Sequence, residues 1–408
     1  GSAGVCPYSD LYDPAFEQGD RLNTPLMDVH FYHAPEWTVM NAYRYENHPY
    51  HTKVFLGEYA TLDDTWFNAL AEAAFMTGLE RAAGVALACY APLFNNVKYT
   101  DWKPDMINYD GRTSYGTPSY YVQRLFSRNQ GTSLLGTSDD VARGPRSQWS
   151  ARGNASLNII NAPFTVSQLT ITDLDHDGAV LQRESNVELT PDGVIKLPLN
   201  LGGTEHFRID LDFTAHEKLD PESSGTDVTI RFAETGSDDY VALAINSWWG
   251  RMLTLRTYQH GKESYYSATH VNYAAETTHR ALLEFDHGTV SLVMDGNPIF
   301  SETLLPYEPD DLYYSAVRDE DDTVTVKLVN VTDTPSDVRL TFDHEVKATY
   351  SIEHMDGFAL DARNDLDHPA LVSSSERTEH ARIDAASTSA LDYRVPAHAV
   401  HVLKFRLV

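Results

Sequence analysis

The chain has 408 residues, 42% of them apolar, which is enough for two or three domains with sizeable cores and too apolar for disorder. Its formal charge of -28, from 31 basic and 59 acidic side chains, argues against nucleic acid or an anionic membrane as a partner, since either wants a basic face. No apolar run approaches the roughly 18 residues of a membrane span, and Cys6 and Cys89 form no paired zinc or redox motif.

In chain order, the start Gly1 to Gly4 carries no signal-peptide pattern. Met27 to Tyr32 reads as a short strand, and Pro35 to Tyr45 as helical, with Trp37, Met40 and Ala42 on one side. Lys53 to Tyr59 is a second strand. The helix from Thr65 to Arg81 follows, with Trp66, Leu70, Ala73, Phe75, Met76 and Leu79 at helical spacing. Asp63 or Asp64 is its expected N-cap and Gly84 its stop. Gly84 to Tyr90 is apolar throughout, as a strand buried on both faces is. Strand, helix, strand, helix, strand is the rhythm of a parallel α/β barrel, and three strands make only part of one.

From about 150 to 305 the helix signal nearly vanishes. Short β-rich runs (Ser156 to Ile160, Val166 to Ile171, His206 to Phe213, Asp227 to Phe232, Tyr240 to Ile245, Met252 to Tyr258, Ala281 to Phe285, Thr289 to Met294) are punctuated by turn pairs such as Asp177-Gly178, Asp192-Gly193 and Asp295-Gly296. That pattern predicts a β-sandwich. From 306 to 408 the reading is again β, with strands at Leu312 to Val317, Thr323 to Val329, Val338 to Phe342 and Val400 to Leu407, and an exposed loop at Ser373 to Arg382. The expected fold class is α/β plus all-β: partial barrel at 1–135, sandwich at 150–305, second sandwich at 306–408.

Two motifs lie in the middle region. Asp173, Asp175 and Asp177, with Gly178 and then Glu184, have the spacing of a twelve-residue calcium loop. The flanks read as strands rather than helices, so a plain acidic hairpin turn is the preferred reading over a metal site. Asn246 to Gly250, with Trp248 and Trp249, is either a sugar-binding face or ordinary sandwich core. The sequons at Asn154 and Asn330 tilt an otherwise open compartment toward secretion.

The chemistry concentrates at Val54 to Ala60. Strand-like residues run into Gly57 and then Glu58, which is how a barrel strand presents a carboxylate at its C-terminal end. Asp28, Glu36, Glu72 and Glu80 are expected to be structural. Glu72 and Glu80 should meet solvent or a nearby arginine, and Glu36 should cap the segment after it.

The first region resembles the α-L-arabinofuranosidases of glycoside hydrolase family 51. The resemblance rests on Asp28-Val-His-Phe-Tyr32 with Ala34-Pro-Glu-Trp37, on Phe55-Leu-Gly-Glu-Tyr-Ala60, and on the helix Asn68 to Arg81. Tyr90-Ala-Pro-Leu-Phe-Asn95, Trp102 and Pro118 to Ser127 continue it, and Leu312 to Arg318 with Lys327 to Asn330 is similar to the family's C-terminal sandwich. The resemblance implies a retaining mechanism with Glu58 as nucleophile. Tyr32 would position that carboxylate, His30 would hold the acid/base or the sugar, and Trp102 would line the sugar face. The family's acid/base is the glutamate of an Asn-Glu pair on an earlier strand, and no such pair occurs in these residues; Val29 also replaces a usual glutamate. The resemblance therefore implies the C-terminal portion of an enzyme acting on arabinan or arabinoxylan, needing no cofactor and inactive without the front half of the barrel, its implied partner. The competing reading is a non-catalytic carbohydrate-binding protein that works through residues 150–305.

Overall fold

The computed structural model describes residues 5–99, 102–141, 147–191, 196–217, 228–246, 252–271, 274–381 and 386–408. Strands hold 50% of the residues and helices 11%, so the chain is mostly β. It forms two compact units, one of residues 1–6, 15–145 and 307–408, the other of 7–14 and 146–306. The sequence regions 1–135 and 306–408 thus share a unit.

Helix α1 (Tyr12–Arg21) leads into an alternating series: β1 (Leu26–His33), α2 (Pro35–Met40), β2 (Lys53–Thr61), α3 (Trp66–Arg81) and β3 (Val85–Tyr90). The three strands pair in parallel, in chain order. Along β1, Met27, Val29, Phe31 and His33 are buried, while Asp28, His30 and Tyr32 line the other, half-buried face. This is the period of two that a strand imposes. Phe31 meets Phe75 of α3 edge-on, with ring centroids 5.6 Å apart.

Helix α3 is buried on almost every side, which its small residues Ala69, Ala71, Ala73 and Ala74 permit. Its N-cap is Thr65, not Asp63 or Asp64: the Thr65 hydroxyl accepts from the Asn68 amide, and Asn68 bonds back to the Thr65 backbone. The two aspartates are occupied elsewhere, by the Arg363 guanidinium at 3.3 and 3.0 Å. The helix stops at Arg81, short of Gly84. Helix α2 is also shorter than expected, giving way to turns after Met40, and Glu36 is buried in its first turn.

Glu72 and Glu80 do not face solvent. Glu72 Oε1 accepts from the Thr61 amide at 3.2 Å and the Thr61 hydroxyl at 2.8 Å, tying α3 to the end of β2. Glu80 bonds Lys327 and Ser315 of the C-terminal sheet. Neither meets the solvent or arginine expected for it, because α3 lies between two sheets and has no outer face. Strand β3 departs in the opposite direction. Ala86, Leu87, Ala88 and Cys89 are exposed, and among the described residues β3 pairs only with β2.

The first unit also holds a helix, Pro118–Ser127, a small three-stranded sheet of Phe94–Asn96, Ile107–Tyr109 and Ser114–Gly116, and a six-stranded sheet in the order Ser375–His380, Thr349–Met355, Ala399–Arg406, Thr323–Asn330, Tyr313–Arg318, Ser133–Leu134. A separate pair, Ser336–Lys347 with Ser387–Val395, shares its core. Ser375–His380, expected in a loop, is an edge strand: its polar residues suit an edge with one side open. Asn330 is fully buried, donating to Thr334 and Pro396 carbonyls, so its sequon is no glycan acceptor in the folded chain.

The second unit holds two six-stranded antiparallel sheets that enclose one core. Stacked pairs Phe164–Phe213 and Phe207–Phe285 form its centre. Ala179–Leu189, Lys262–His270 and Asn297–Thr303 are full strands where the sequence showed fragments or nothing. The turn at Asp192-Gly193 and residues 247–250 of the tryptophan motif lie outside the described residues.

Burial raises the Glu72 carboxyl to about 7, against which the Thr61, Ser119 and Gln123 donors act only partly. A folded-state value above the ordinary 4.5 means stability is full below about pH 4.5 and falls as pH rises through about 7. At about 1.4 kcal/mol per pH unit, the loss is roughly 3 kcal/mol. Glu72→Gln should therefore leave urea stability unchanged near pH 4.5 and raise it at pH 8, and a pH-independent difference would contradict this account.

Candidate active site

The residues expected to carry chemistry converge on one face of β1 and β2. Along this pair Val29 lies opposite Leu56, but His30 lies opposite Glu58. One residue of β2, Gly57, has no counterpart on β1. On the β3 side the same thing happens: Leu56 pairs with Ala88, and Tyr59 with Tyr90. Strand β2 thus carries a bulge relative to both neighbours. Without it Glu58 would stand opposite Phe31 and follow Val54 and Leu56 into the buried side, because a one-residue slip flips every later side chain. With it, Glu58 joins Asp28, His30 and Tyr32, while Tyr59 turns inward against Phe31 and Phe75.

The glycine is required by close approach. A Cβ on Gly57 would sit 2.1 Å from Asp28 Oδ1 and 3.1 Å from His30 Nε2. Asp28 in turn holds His30, Oδ1 to Nε2 at 3.1 Å. The other ring nitrogen, Nδ1, faces Glu58 Oε2 at 3.7 Å. Tyr32 donates its hydroxyl to the same Oε2 at 2.9 Å. Burial first, and then the bond to Glu58, push the Tyr32 phenol well above its usual range, so it remains a donor. The arrangement is a carboxylate with one oxygen held by a phenol and the other free to act. Trp102 stands edge-on to Tyr32, ring centroids 6.0 Å apart, and is half exposed.

Asp105 went unnoticed in the sequence. Its charge reaches Tyr32, and burial together with Asp64 raises its own carboxyl to about 6. The signal available was its place in Trp102-Lys103-Pro104-Asp105, three residues from an expected sugar-lining tryptophan.

The acidic run of the second unit does not gather around a common point. Asp173 Oδ1 accepts from the amides of Asp175 and His176 and from Thr204, and Asp175 Oδ2 from Thr204 and the amides of Glu205 and His206. Asp177 is at the turn itself with a positive φ of 54°. Glu184 stands along the next strand opposite Leu169, bonded to Gln182. That strand begins at Ala179, so Glu184 is roughly 15 Å beyond the turn at about 3.3 Å per residue. The helix–loop–helix that brings a twelfth-position glutamate back to the loop is replaced here by a hairpin, which carries it away.

The side chains of the expected sugar-binding motif, residues 246–250, lie outside the described residues. In the strands Val228–Glu234, Tyr240–Asn246 and Met252–Gln259, the core side (Ile230, Leu243, Leu255) and the opposite side (Thr229, Ala242, Ala244, Thr254) are both buried.

Residues 36–399 match the family model for the α-L-arabinofuranosidase C-terminal domain. The chain is 44% identical over 126 residues to an extracellular exo-α-L-arabinofuranosidase of Streptomyces chartreusis, covering 30% of this chain and 15% of that protein. It is 36% identical over 138 residues to α-L-arabinofuranosidase 1 of Arabidopsis thaliana, covering 30% and 20%. A probable α-L-arabinofuranosidase A of Aspergillus niger matches at 36% over 155 residues, covering 36% and 24%. The chain therefore spans a quarter or less of the length of these curated relatives. Similar solved structures include an arabinose-bound GH51 α-L-arabinofuranosidase (TM-score 0.45, 16% identity, 94% of this chain and 37% of that one). Another is a GH51 arabinofuranosidase from Xanthomonas axonopodis pv. citri (TM-score 0.46, 11% identity, 98% and 57%).

Gly57→Ala should force Asp28 off His30 and lower stability by about 1–3 kcal/mol in urea unfolding. Because the clash is with the Asp28 side chain, Asp28→Ala in the same chain should recover part of that loss. Simple additivity in the double-mutant cycle would show that the two residues do not meet.

Proposed function

The chain belongs to the family of α-L-arabinofuranosidase C-terminal domains, and from that premise we propose that it is the nucleophile-bearing part of a retaining α-L-arabinofuranosidase. The observation that carries this reading is the Tyr32–Glu58 bond on the bulged face of β2. A Glu58 carboxylate oxygen attacks the anomeric carbon of a terminal arabinofuranosyl residue. The bond to the leaving oxygen breaks, the electron pair leaves with that oxygen, and an arabinosyl ester forms on Glu58. Tyr32 holds the second carboxylate oxygen and stabilises the carboxylate when water later displaces the sugar. Asp28 sets the His30 ring against the carboxylate, and Trp102 offers an apolar plane beside the ring. The substrate class is arabinose-decorated polysaccharide or oligosaccharide, and the extracellular description of the Streptomyces relative favours secretion.

In this reading β1 to β3 are the last strands of a (β/α)8 barrel, and two β-sandwiches follow. The glutamate that protonates the leaving group belongs to the preceding half of the barrel. The exposed apolar edge of β3, with Leu87 at 55% exposure, supports this, since it is where a further barrel strand would pair. A polypeptide carrying that half is the expected partner.

A leaving group that needs no acid isolates the nucleophile. Incubating the chain with 2,4-dinitrophenyl α-L-arabinofuranoside should place one arabinosyl group on Glu58 in peptide mass mapping, and Glu58→Gln should remove it. An adduct on another carboxylate would overturn the assignment. Brisk turnover of an alkyl arabinofuranoside by the chain alone, lost in Glu58→Gln, would show that the acid lies within these 408 residues.

A further inference from the structure

A second cluster of reactive side chains lies in the C-terminal sheet. The strands Thr349–Met355 and Ala399–Arg406 are antiparallel neighbours, and His354 is directly opposite His401. Side chains in such a pair share a face and are separated at Cβ by about 5 Å. Asp356, just past the end of the first strand, reaches back between them. Its Oδ2 is 3.0 Å from His354 Nδ1 and 2.6 Å from His401 Nε2. Among the described residues, no other three His, Cys, Asp or Glu side chains bring their donor atoms within 4.8 Å of one another.

We infer that His354 Nδ1, Asp356 Oδ2 and His401 Nε2 are a three-ligand site for a divalent ion of the zinc class, with water as fourth ligand. Two imidazoles and a carboxylate are donors that zinc takes readily. Tetrahedral bonds of about 2.0 Å put neighbouring donors about 3.3 Å apart, so the observed pairs need to open by well under 1 Å. The outer support is present too. His401 is fully buried, and its Nδ1 is 2.6 Å from the Tyr393 hydroxyl. With the metal on Nε2, the imidazole carries its proton on Nδ1 and donates it to Tyr393, the second interaction that fixes a ligating histidine. A neutral His401 keeps its single proton on Nδ1 when the ion takes Nε2, and the Nε2–Asp356 contact is replaced by two bonds to the ion.

Access and charge are compatible with an ion. The His354 and Asp356 side chains are 17% and 24% exposed, so solvent reaches the site from their side. Arg377, a cation whose field reaches both, is tied to Glu379 at 2.7 Å. An ion here would staple the two strands together beyond their backbone ladder. Nothing in this argument uses Glu58 or the reaction proposed for it.

The test uses the whole chain, stripped with a chelator and titrated with ZnCl2 by calorimetry, then with Co2+ to read tetrahedral absorption. One ion per chain is expected, with a raised thermal midpoint. Asp356→Asn keeps hydrogen bonds to both rings and so keeps the fold, and it should weaken binding at least tenfold. His354→Ala should do the same, and Tyr393→Phe should cost on the order of tenfold. Absence of saturable binding, or binding that Asp356→Asn and His354→Ala both leave unchanged, would overturn the site.

Discussion

One extra residue in β2 decides what this chain can do. A strand alternates its side chains, so whether a carboxylate points into a core or into a cleft depends on whether the residues before it number odd or even. Gly57 changes that count between Leu56 and Glu58. It moves Glu58 from the side of Val54 and Leu56 to the side of His30 and Tyr32. The price is a backbone pressed so close to Asp28 that a side chain at position 57 would displace the Asp28 carboxylate. The same contact that demands glycine brings Asp28 to His30, so bulge, glycine and oriented imidazole form one device.

The device needs a rigid frame, and the frame is α3. At its start, Thr65 and Asn68 close the first turn, and the backbone amides of Trp66 and Phe67 donate to the carbonyls of Ala362 and Leu360. Midway, Glu72 clasps Thr61 at the end of β2, three residues beyond Glu58. At its end, Glu80 pairs with the fully buried Lys327. The strand bearing the acid is thus held through the helix to the C-terminal sheet. On the other side of the three strands, among the described residues, β3 has no further strand beside it, and its outer residues are apolar and exposed. The frame is complete on the side of the C-terminal sheet and, among the described residues, open at the outer edge of β3.

Residues whose role is set by near neighbours were the legible ones. The alternation in β1 and the apolar spacing of α3 are local, and both elements lie where the pattern puts them. Roles that depend on a distant segment were misread or missed. Asp63 and Asp64 looked like caps because nothing local shows that Arg363 takes them. Glu80 was expected to meet solvent or a nearby arginine because its partners, Ser315 and Lys327, lie more than two hundred residues later in the chain. Ser375–His380 read as a loop because an edge strand can be as polar as one. The spacing of Asp173 to Glu184 resembled a calcium loop because spacing alone does not say whether the chain turns back or runs on.

By itself, then, the sequence determined that strands and helices alternate in the first region, that β dominates afterwards, that a glutamate follows a glycine in a buried strand, and which family's motifs surround it. Hydrophobic period and short motifs carry that much, because they are properties of neighbouring residues. The tertiary structure decided the face on which Glu58 emerges, the partners of Asp64, Glu72 and Glu80, and the meeting of His354 and Asp356 with His401, 45 residues beyond Asp356. Each of these depends on register between segments far apart in the chain. Register is set by the packing of whole strands, and a shift of one residue would reverse it.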